Sequence, residues 1–218
     1  MVDDPAPQKR EGLLWRTVSA CILVIFIVLV LSGPDFLFFL LGIGVIIRSA
    51  YEAFFILGDR KGKTAFLCCA FFLLVCLGTG CSIALRYKGR AVFAWLVLVV
   101  SAGDIGAYGI GRMIGGPKIF PKTSPRKTWS GSLGGLIFAI SIGSAWNPIS
   151  DQVNVSVLAS GVALSGLLGD YLESFVKRHL GLKDFGSFIP GHGGLLDRLD
   201  SLLVAALFLW GVFYLKGF

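Results

Sequence analysis

The sequence has 218 residues, of which 55% are hydrophobic and 15% charged, and its formal net charge is +7. Several apolar runs approach the roughly 20 residues that a helix needs to cross a bilayer, which excludes an ordinary soluble domain. The period-2 alternation of a membrane barrel is absent, so we predict an all-α, polytopic helical membrane protein. In a soluble protein the positive charge would suggest nucleic acid; here we expect the lipid bilayer as a partner and no nucleic acid.

Seven candidate spans follow in chain order, at about 15–31, 36–57, 64–85, 91–112, 132–147, 153–176 and 199–215. The polar stretch before Leu13 does not resemble a cleavable signal peptide, so we expect the first span to remain as a membrane anchor. No linker indicates a separate soluble domain. We therefore treat 1–218 as one integral membrane domain, with N-terminal helices over 1–90 and a catalytic region over 91–218.

The positions of the basic residues indicate an orientation. With a cytoplasmic N-terminus, most of the 20 Lys and Arg residues fall on the cytoplasmic side, as the positive-inside rule requires. The exception is the segment RYKGR at 86–90, which places three cations on the outer side.

Five carboxylates lie within or beside the predicted spans, where ionisable side chains are costly. They are Asp104 in the fourth span, Asp170 and Glu173 near the end of the sixth, and Asp197 and Asp200 at the start of the seventh. Each of the last two pairs has i, i+3 spacing, so its members face the same way. Convergent carboxylates are typical ligands of Mg²⁺. The alternative is that they form structural salt bridges with Lys177, Arg178 and Arg198.

The segment between the fourth and fifth spans, GGPKIFPKTSPRKTWSG, alternates cations with hydroxyl residues and contains three prolines. This pattern favours phosphate binding, because Lys and Arg donate charge-assisted hydrogen bonds to phosphate oxygens. The alternative is an ordinary basic cytoplasmic loop. Together with metal-binding carboxylates on the same membrane face, the segment indicates phosphoryl or nucleotidyl transfer.

Three stretches carry a more specific resemblance. SFVKRHLGLKDFGSFIPGHGGLLDRLD fills 174–200 after a GDYLE lead-in, and DIGAYGIGRMIG and PKTSPRKTWSG precede it in that order. Through these motifs the C-terminal half resembles the phosphatidate cytidylyltransferases, also called CDP-diacylglycerol synthases. Ser130 stands where members of that family typically have Glu after KTW.

The resemblance implies that CTP and phosphatidate react to give CDP-diacylglycerol and pyrophosphate, with Mg²⁺ required and a monovalent cation such as K⁺ beside it. It makes Asp170 and Asp197 the leading metal ligands, with Asp104, Glu173 and Asp200 as second-tier candidates. The residues expected to hold the triphosphate are Lys122, Ser124, Lys127 and Thr128. Those expected to bind phosphate groups of either substrate are Lys177, Arg178, Lys183 and Arg198.

The GHGG turn leaves two interpretations open. Gly193 and Gly194 let the backbone pass close to a phosphate, or they form a plain turn before a helix. His192 donates a hydrogen bond either to phosphate or to the backbone. Arg48 and Glu52 have i, i+4 spacing and most simply pair with each other.

Other functions also stay open from the sequence. A related CTP-using membrane enzyme, such as a polyprenol kinase or an archaeol-type cytidylyltransferase, would act on another lipid. An ion-coupled transporter would line its path with similar carboxylates, but it would not need cations alternating with hydroxyls. For the enzyme we expect a multi-pass protein of the bacterial inner membrane with a cytoplasmic active site, and GxxxG-like faces that allow a homodimer.

Overall fold

The structure is a computed structural model that describes residues 28–58, 62–121, 123–149, 153–182, 185 and 196–217. Residues 28–32 are helical. The helices that follow are α1 (Asp35–Leu57), α2 (Lys63–Lys88), α3 (Arg90–Ile114), α4 (Trp129–Ala145), α5 (Val155–His179) and α6 (Asp200–Lys216). A hairpin of β1 (Lys118–Phe120) and β2 (Ser124–Thr128) joins α3 to α4, and a 3₁₀ turn at Leu196–Arg198 precedes α6.

The predicted all-α membrane class is confirmed. Helices α1, α2, α3 and α5 are long and apolar enough to cross a membrane. Helices α4 and α6 have 17 residues each, which is near the shortest length that spans the hydrocarbon core. All six agree with the second to seventh predicted spans to within a few residues. Most of the first predicted span, 15–31, lies outside the described residues.

Helices α3 and α4 pack at close range. At Gly135 of α4 a Cβ would lie 2.6 Å from the carbonyl oxygen of Gly103, so only glycine allows this approach. Farther along the same pair, the fully buried Trp95 donates its indole N–H to the carbonyl oxygen of Gly143 at 2.9 Å. The main apolar core surrounds Trp95 and draws on α2 to α6.

A second apolar cluster lies between α2, α5 and α6. Its buried members are Val75, Val176, Leu180, Phe185, Leu196 and Leu203. The rings of Phe71 and Phe185 stack with centroids 4.9 Å apart. This cluster supports the 3₁₀ turn, which carries Asp197.

The basic segment after α3 forms an antiparallel hairpin, which the sequence pattern did not predict. Lys118 pairs with Thr128, and Phe120 pairs with Ser124. Thr128 then caps α4, since its hydroxyl accepts a hydrogen bond from the N–H of Gly131 at 3.1 Å. The hairpin is thus tied directly to the first turn of α4.

Two cations of the RYKGR segment, Arg86 and Arg90, have a structural role. Arg86 is only 1% exposed. Its guanidinium donates to the carbonyl oxygens of Leu31 and Gly33 at 2.6 and 2.7 Å and to the carboxylate of Asp35 at 3.2 Å. Arg90 also pairs with Asp35, at 3.4 Å. These two cations therefore join the helical residues 28–32 to the start of α1.

Candidate active site

A cavity of about 510 Å³ lies between α3, α4, α5 and the start of α6. Charged side chains line one end of it: Asp104, Arg112, Arg126, Lys127, Asp170, Asp197, Arg198 and Asp200. The apolar Val99, Leu136 and Ala163 also line it. Val99 lies between one and two turns of α3 from Asp104, and Ala163 lies about two turns of α5 from Asp170. The cavity therefore joins a strongly polar end to an apolar end, as a ligand with a charged head and an apolar tail would require.

Two carboxylates of the polar end, Asp170 and Asp200, converge with the buried Glu173, which is not among the described residues that line the cavity. One oxygen from each of Asp170, Glu173 and Asp200 lies within 4.8 Å of the other two. Gly169 lets α6 come this close to α5, because a Cβ there would lie 2.7 Å from the Asp200 carbonyl oxygen. Glu173 is 2% exposed, and its Oε1 has no hydrogen-bond partner among the described residues. A buried acceptor left open beside two other carboxylates suits a cation.

Lys177 lies behind this carboxylate cluster. Its ammonium contacts Glu173 Oε2 and Asp197 Oδ1, each at 2.7 Å. The other oxygen of Asp197 accepts a hydrogen bond from the N–H of Phe185 at 3.3 Å. The structure therefore places Asp197 on the cavity wall, beside the three converging carboxylates, with both oxygens already engaged.

Lys127 reaches the site from β2. Its ammonium forms an ion pair with Asp170 and lies 4.4 Å from the centroid of the Tyr171 ring. The hydroxyls of Tyr171 and Ser132 are 2.9 Å apart, and Phe120 of β1 packs edge-on against the same ring. Tyr171 thus holds the hairpin against α5.

Two cations at the cavity had no individual role assigned from the sequence, Arg112 and Arg126, although Arg126 lies in the segment predicted to bind phosphate. Arg112 ends the face of α3 that begins with Asp104 and continues through Tyr108, and its Nη1 donates to the Tyr108 hydroxyl at 3.1 Å. The i, i+4, i+8 spacing within DIGAYGIGR was the signal that could have identified Arg112. Arg126 could have been inferred from its place beside Lys127 in a strand.

Other predicted phosphate ligands have different positions. Arg178 is exposed and donates to the carbonyl oxygens of Thr123 and Leu182 at 3.2 and 3.3 Å, which ties α5 to the hairpin. Ser124 starts β2 and is not among the described residues that line the cavity. Thr128 does line it, but its hydroxyl also caps α4.

Five predicted site residues lie outside the described residues: Lys122, Lys183, His192, Gly193 and Gly194. The expected pair of Arg48 and Glu52 is present at 3.0 Å. Glu52 borders a separate space of about 10 Å³ between α1, α2, Phe185 and Leu196.

Comparisons with known proteins point to one family. The model of the Cytidylyltransferase family matches residues 61–216. The phosphatidate cytidylyltransferase of Brucella suis biovar 1 is 43% identical over 131 residues, 58% of this chain and 48% of that protein. The protein of the same name from Helicobacter pylori strain J99 is 42% identical over 129 residues, with the same two shares.

A further relative extends the match. The phosphatidate cytidylyltransferase of Staphylococcus aureus strain COL is 37% identical over 151 residues, 66% of this chain and 58% of that protein. The chain thus spans about half the length of the first two of these relatives. The family resemblance found in the sequence motifs is confirmed.

Proposed function

Because the chain belongs to the cytidylyltransferase family, we propose that it transfers the cytidylyl group of CTP to phosphatidate, giving CDP-diacylglycerol and pyrophosphate. The names of the relatives support this reaction for them. The motifs that carry the resemblance lie in the part of the chain that the family matches.

The observation that carries the proposal is the meeting of carboxylates and cations in one cavity of a membrane protein. Asp170 and Asp200 line it and lie with the buried Glu173 within 4.8 Å of one another, while Arg112, Arg126 and Arg198 line the same space. Acids for a metal and cations for phosphates are the two requirements of phosphate-centred transfer. The apolar end of the cavity suits the acyl part of a lipid, which a transporter of simple ions would not need.

The metal of this proposal is Mg²⁺, held by Asp170, Glu173 and Asp200. The donor set fits a hard cation, since all three ligands are carboxylates and the buried Glu173 Oε1 has no other described partner. Bound there, Mg²⁺ supplies Lewis-acid stabilisation of the charge on the phosphate oxygens. A monovalent cation such as K⁺ belongs to the proposal through the family resemblance alone.

The side chains of the cavity then orient the two substrates. A phosphate oxygen of phosphatidate attacks the α-phosphorus of CTP in line, the bond from that phosphorus to the β-bridging oxygen breaks, and pyrophosphate leaves. Phosphatidate is already an anion, so the step needs no side-chain nucleophile. Arg112, Arg126 and Arg198 are placed to neutralise the phosphate groups that enter and leave.

Lys177 and Asp197 have supporting roles in this proposal. Lys177 contacts Glu173 and Asp197 rather than lining the cavity, so it balances the charge of the carboxylate cluster.

For the orientation in the membrane, we propose that the hairpin and the start of α6 face the cytoplasm, where CTP is available, in a bacterial inner membrane.

The test is pyrophosphate release by the full chain in mixed detergent and lipid micelles with CTP and Mg²⁺. We expect release only when phosphatidate is added. A polyprenol kinase would produce CDP instead, and a transporter would release neither product. Release with an archaeol-type lipid but not with phosphatidate would reassign the lipid substrate.

Two buried glutamates provide a matched pair of variants, since each has a basic partner at i±4. Glu173→Gln should lower pyrophosphate release by about two orders of magnitude or more, as expected when a charged metal ligand is lost in a partly dry site. Glu52→Gln should leave it within about threefold of wild type, a change below 1 kcal/mol in the barrier. Equal losses in both variants would contradict the site assignment.

A further inference from the structure

The ion pair between Lys127 and Asp170 is difficult to combine with either of their proposed roles. Among the described lysines of the hairpin, Lys127 is the one with its ammonium at the carboxylate cluster. That ammonium nitrogen is buried, and it lies against the Asp170 carboxylate and the Tyr171 ring. In this position it does not offer its charge to a triphosphate in the cavity, and it occupies an oxygen of a proposed metal ligand.

Two positive charges on one carboxylate repel each other. A divalent cation held by Asp170, Glu173 and Asp200 would face the Lys127 ammonium across Asp170, in a site where burial weakens screening. Each cation therefore lowers the affinity of Asp170 for the other.

The backbone of Lys127 is well placed for an exchange that involves only its side chain. The next residue, Thr128, is 5% exposed and caps α4. Phe120 and Tyr171 hold the hairpin against α5. The side chain also lines the 510 Å³ cavity, so its ammonium can turn from Asp170 into the cavity while the strand stays in place.

We propose that Lys127 is an exchangeable counterion of Asp170: a divalent cation displaces its ammonium, which then binds the triphosphate. This inference rests on the proposed function and adds a thermodynamic coupling to it. Metal binding makes a phosphate-binding cation available, and nucleotide binding, by drawing Lys127 away, vacates the metal ligand. By linkage, each ligand then raises the affinity for the other by the same factor.

The experiment titrates Mn²⁺ into the detergent-solubilised full chain without nucleotide and follows free Mn²⁺ by its electron paramagnetic resonance signal. Lys127→Gln removes the competing ammonium and should tighten Mn²⁺ binding about tenfold. Lys127→Arg keeps the charge and should bind as wild type does. Arg126→Gln, which removes a cation from the same cavity without removing the partner of Asp170, should change the affinity by less than about threefold.

The second arm repeats the titration with CTP present. The factor by which CTP tightens Mn²⁺ binding should be several-fold smaller in Lys127→Gln than in wild type or Arg126→Gln, because Asp170 is already free of its lysine. If the Gln variant does not fold, Lys127→Met takes its place in both arms.

Equal Mn²⁺ affinities of Lys127→Gln and Arg126→Gln without nucleotide would overturn the inference and leave Lys127 as a simple triphosphate ligand. Wild type that binds no Mn²⁺ in either arm would overturn it as well. Pyrophosphate release is scored separately. The expected Mn²⁺ pattern in a chain that releases no pyrophosphate would support the counterion role while contradicting the proposed function.

Discussion

Buried charge is handled differently at the two ends of the helix bundle. At the end near residues 86–90, Arg86 is buried and each of its three guanidinium nitrogens donates to an oxygen. At the other end, Glu173 is buried to the same degree, yet its Oε1 has no hydrogen-bond partner among the described residues. Arg86 recovers its desolvation penalty through all three nitrogens, whereas Glu173 recovers its own through Oε2, which contacts Lys177 at 2.7 Å.

The difference separates a structural charge from a charge kept for a ligand. The guanidinium of Arg86, with each of its three nitrogens hydrogen-bonded, stabilises the helix junction around it. The cluster of Asp170, Glu173 and Asp200 instead holds like charges within 4.8 Å of one another, and their repulsion destabilises the fold although Lys127 and Lys177 offset part of it. The comparison leads to opposite expectations for activity and stability at the two ends.

The largest effect on activity is expected for Asp200→Asn. Losing one of three converging carboxylates removes several kcal/mol of transition-state stabilisation, so turnover should fall about a thousandfold. The melting temperature should stay near the wild-type value or rise, because a repulsive charge is gone. Turnover is measured as pyrophosphate release and stability as thermal unfolding in detergent.

Asp35→Asn is the matched control at the other end. Its turnover should stay within about threefold of wild type, while its melting temperature should fall because Arg86 loses its counterion. If the two variants exchanged these outcomes, the assignment of the two ends would be wrong.

The largest effect on stability is expected for Arg86→Met. The substitution leaves the Leu31 and Gly33 carbonyl oxygens and the Asp35 carboxylate without this donor, and acceptors left unsatisfied in this way cost about 1–3 kcal/mol. Arg90→Gln removes a partner of the same carboxylate whose side chain is 54% exposed, so it should cost about 1 kcal/mol or less. Thermal unfolding of both variants tests this contrast. Similar decreases in melting temperature would show that the three hydrogen bonds of Arg86 stabilise the protein no more than the exposed ion pair of Arg90.

A smaller loss of activity than that of Asp200→Asn is expected to distinguish two neighbouring cations of α5. Lys177→Met should lower kcat about 10- to 100-fold with little change in the KM for CTP, because its ammonium orients carboxylates and does not line the cavity. Arg178→Gln should change either constant by less than about threefold, since its exposed guanidinium contacts backbone oxygens. A rise in KM for Lys177→Met would restore the phosphate-binding role that the motif suggested.

The sequence predicted most of the helices because their apolar runs are long and their breaks are sharp. SGP at 32–34 and RYKGR at 86–90 mark ends that the structure places within a few residues. The hairpin at 118–128 was not predicted, since three prolines and several cations favour a loop, and its strands pair over only a few residues. Its stability depends on contacts with Tyr171, which no local pattern reveals.

The sequence predicted which carboxylates belong to the candidate site, but not every contact that they make. The motifs identified Asp170, Glu173, Asp197 and Asp200, and the structure brings all four to one region. The ranking of Asp197 above Asp200 as a metal ligand stays a prediction, and the geometry favours testing Asp200 first. The i, i+4 spacing could show the contact of Lys177 with Glu173. Its contact with Asp197 depends on how α5 meets the 3₁₀ turn before α6, and spacing along the chain cannot show that.

The contact at Gly169 has a consequence for which ions the proposed metal site would accept. A methyl group there would meet the Asp200 carbonyl oxygen at 2.7 Å and the Val204 side chain at 3.0 Å, so it would act as a wedge between α5 and α6. Asp200 would then move away from the two acids of α5, and the gap would suit a larger ion. Gly169 contributes no ligand atom, yet its lack of a side chain sets the spacing of the three carboxylates and thereby the size of ion that fits between them.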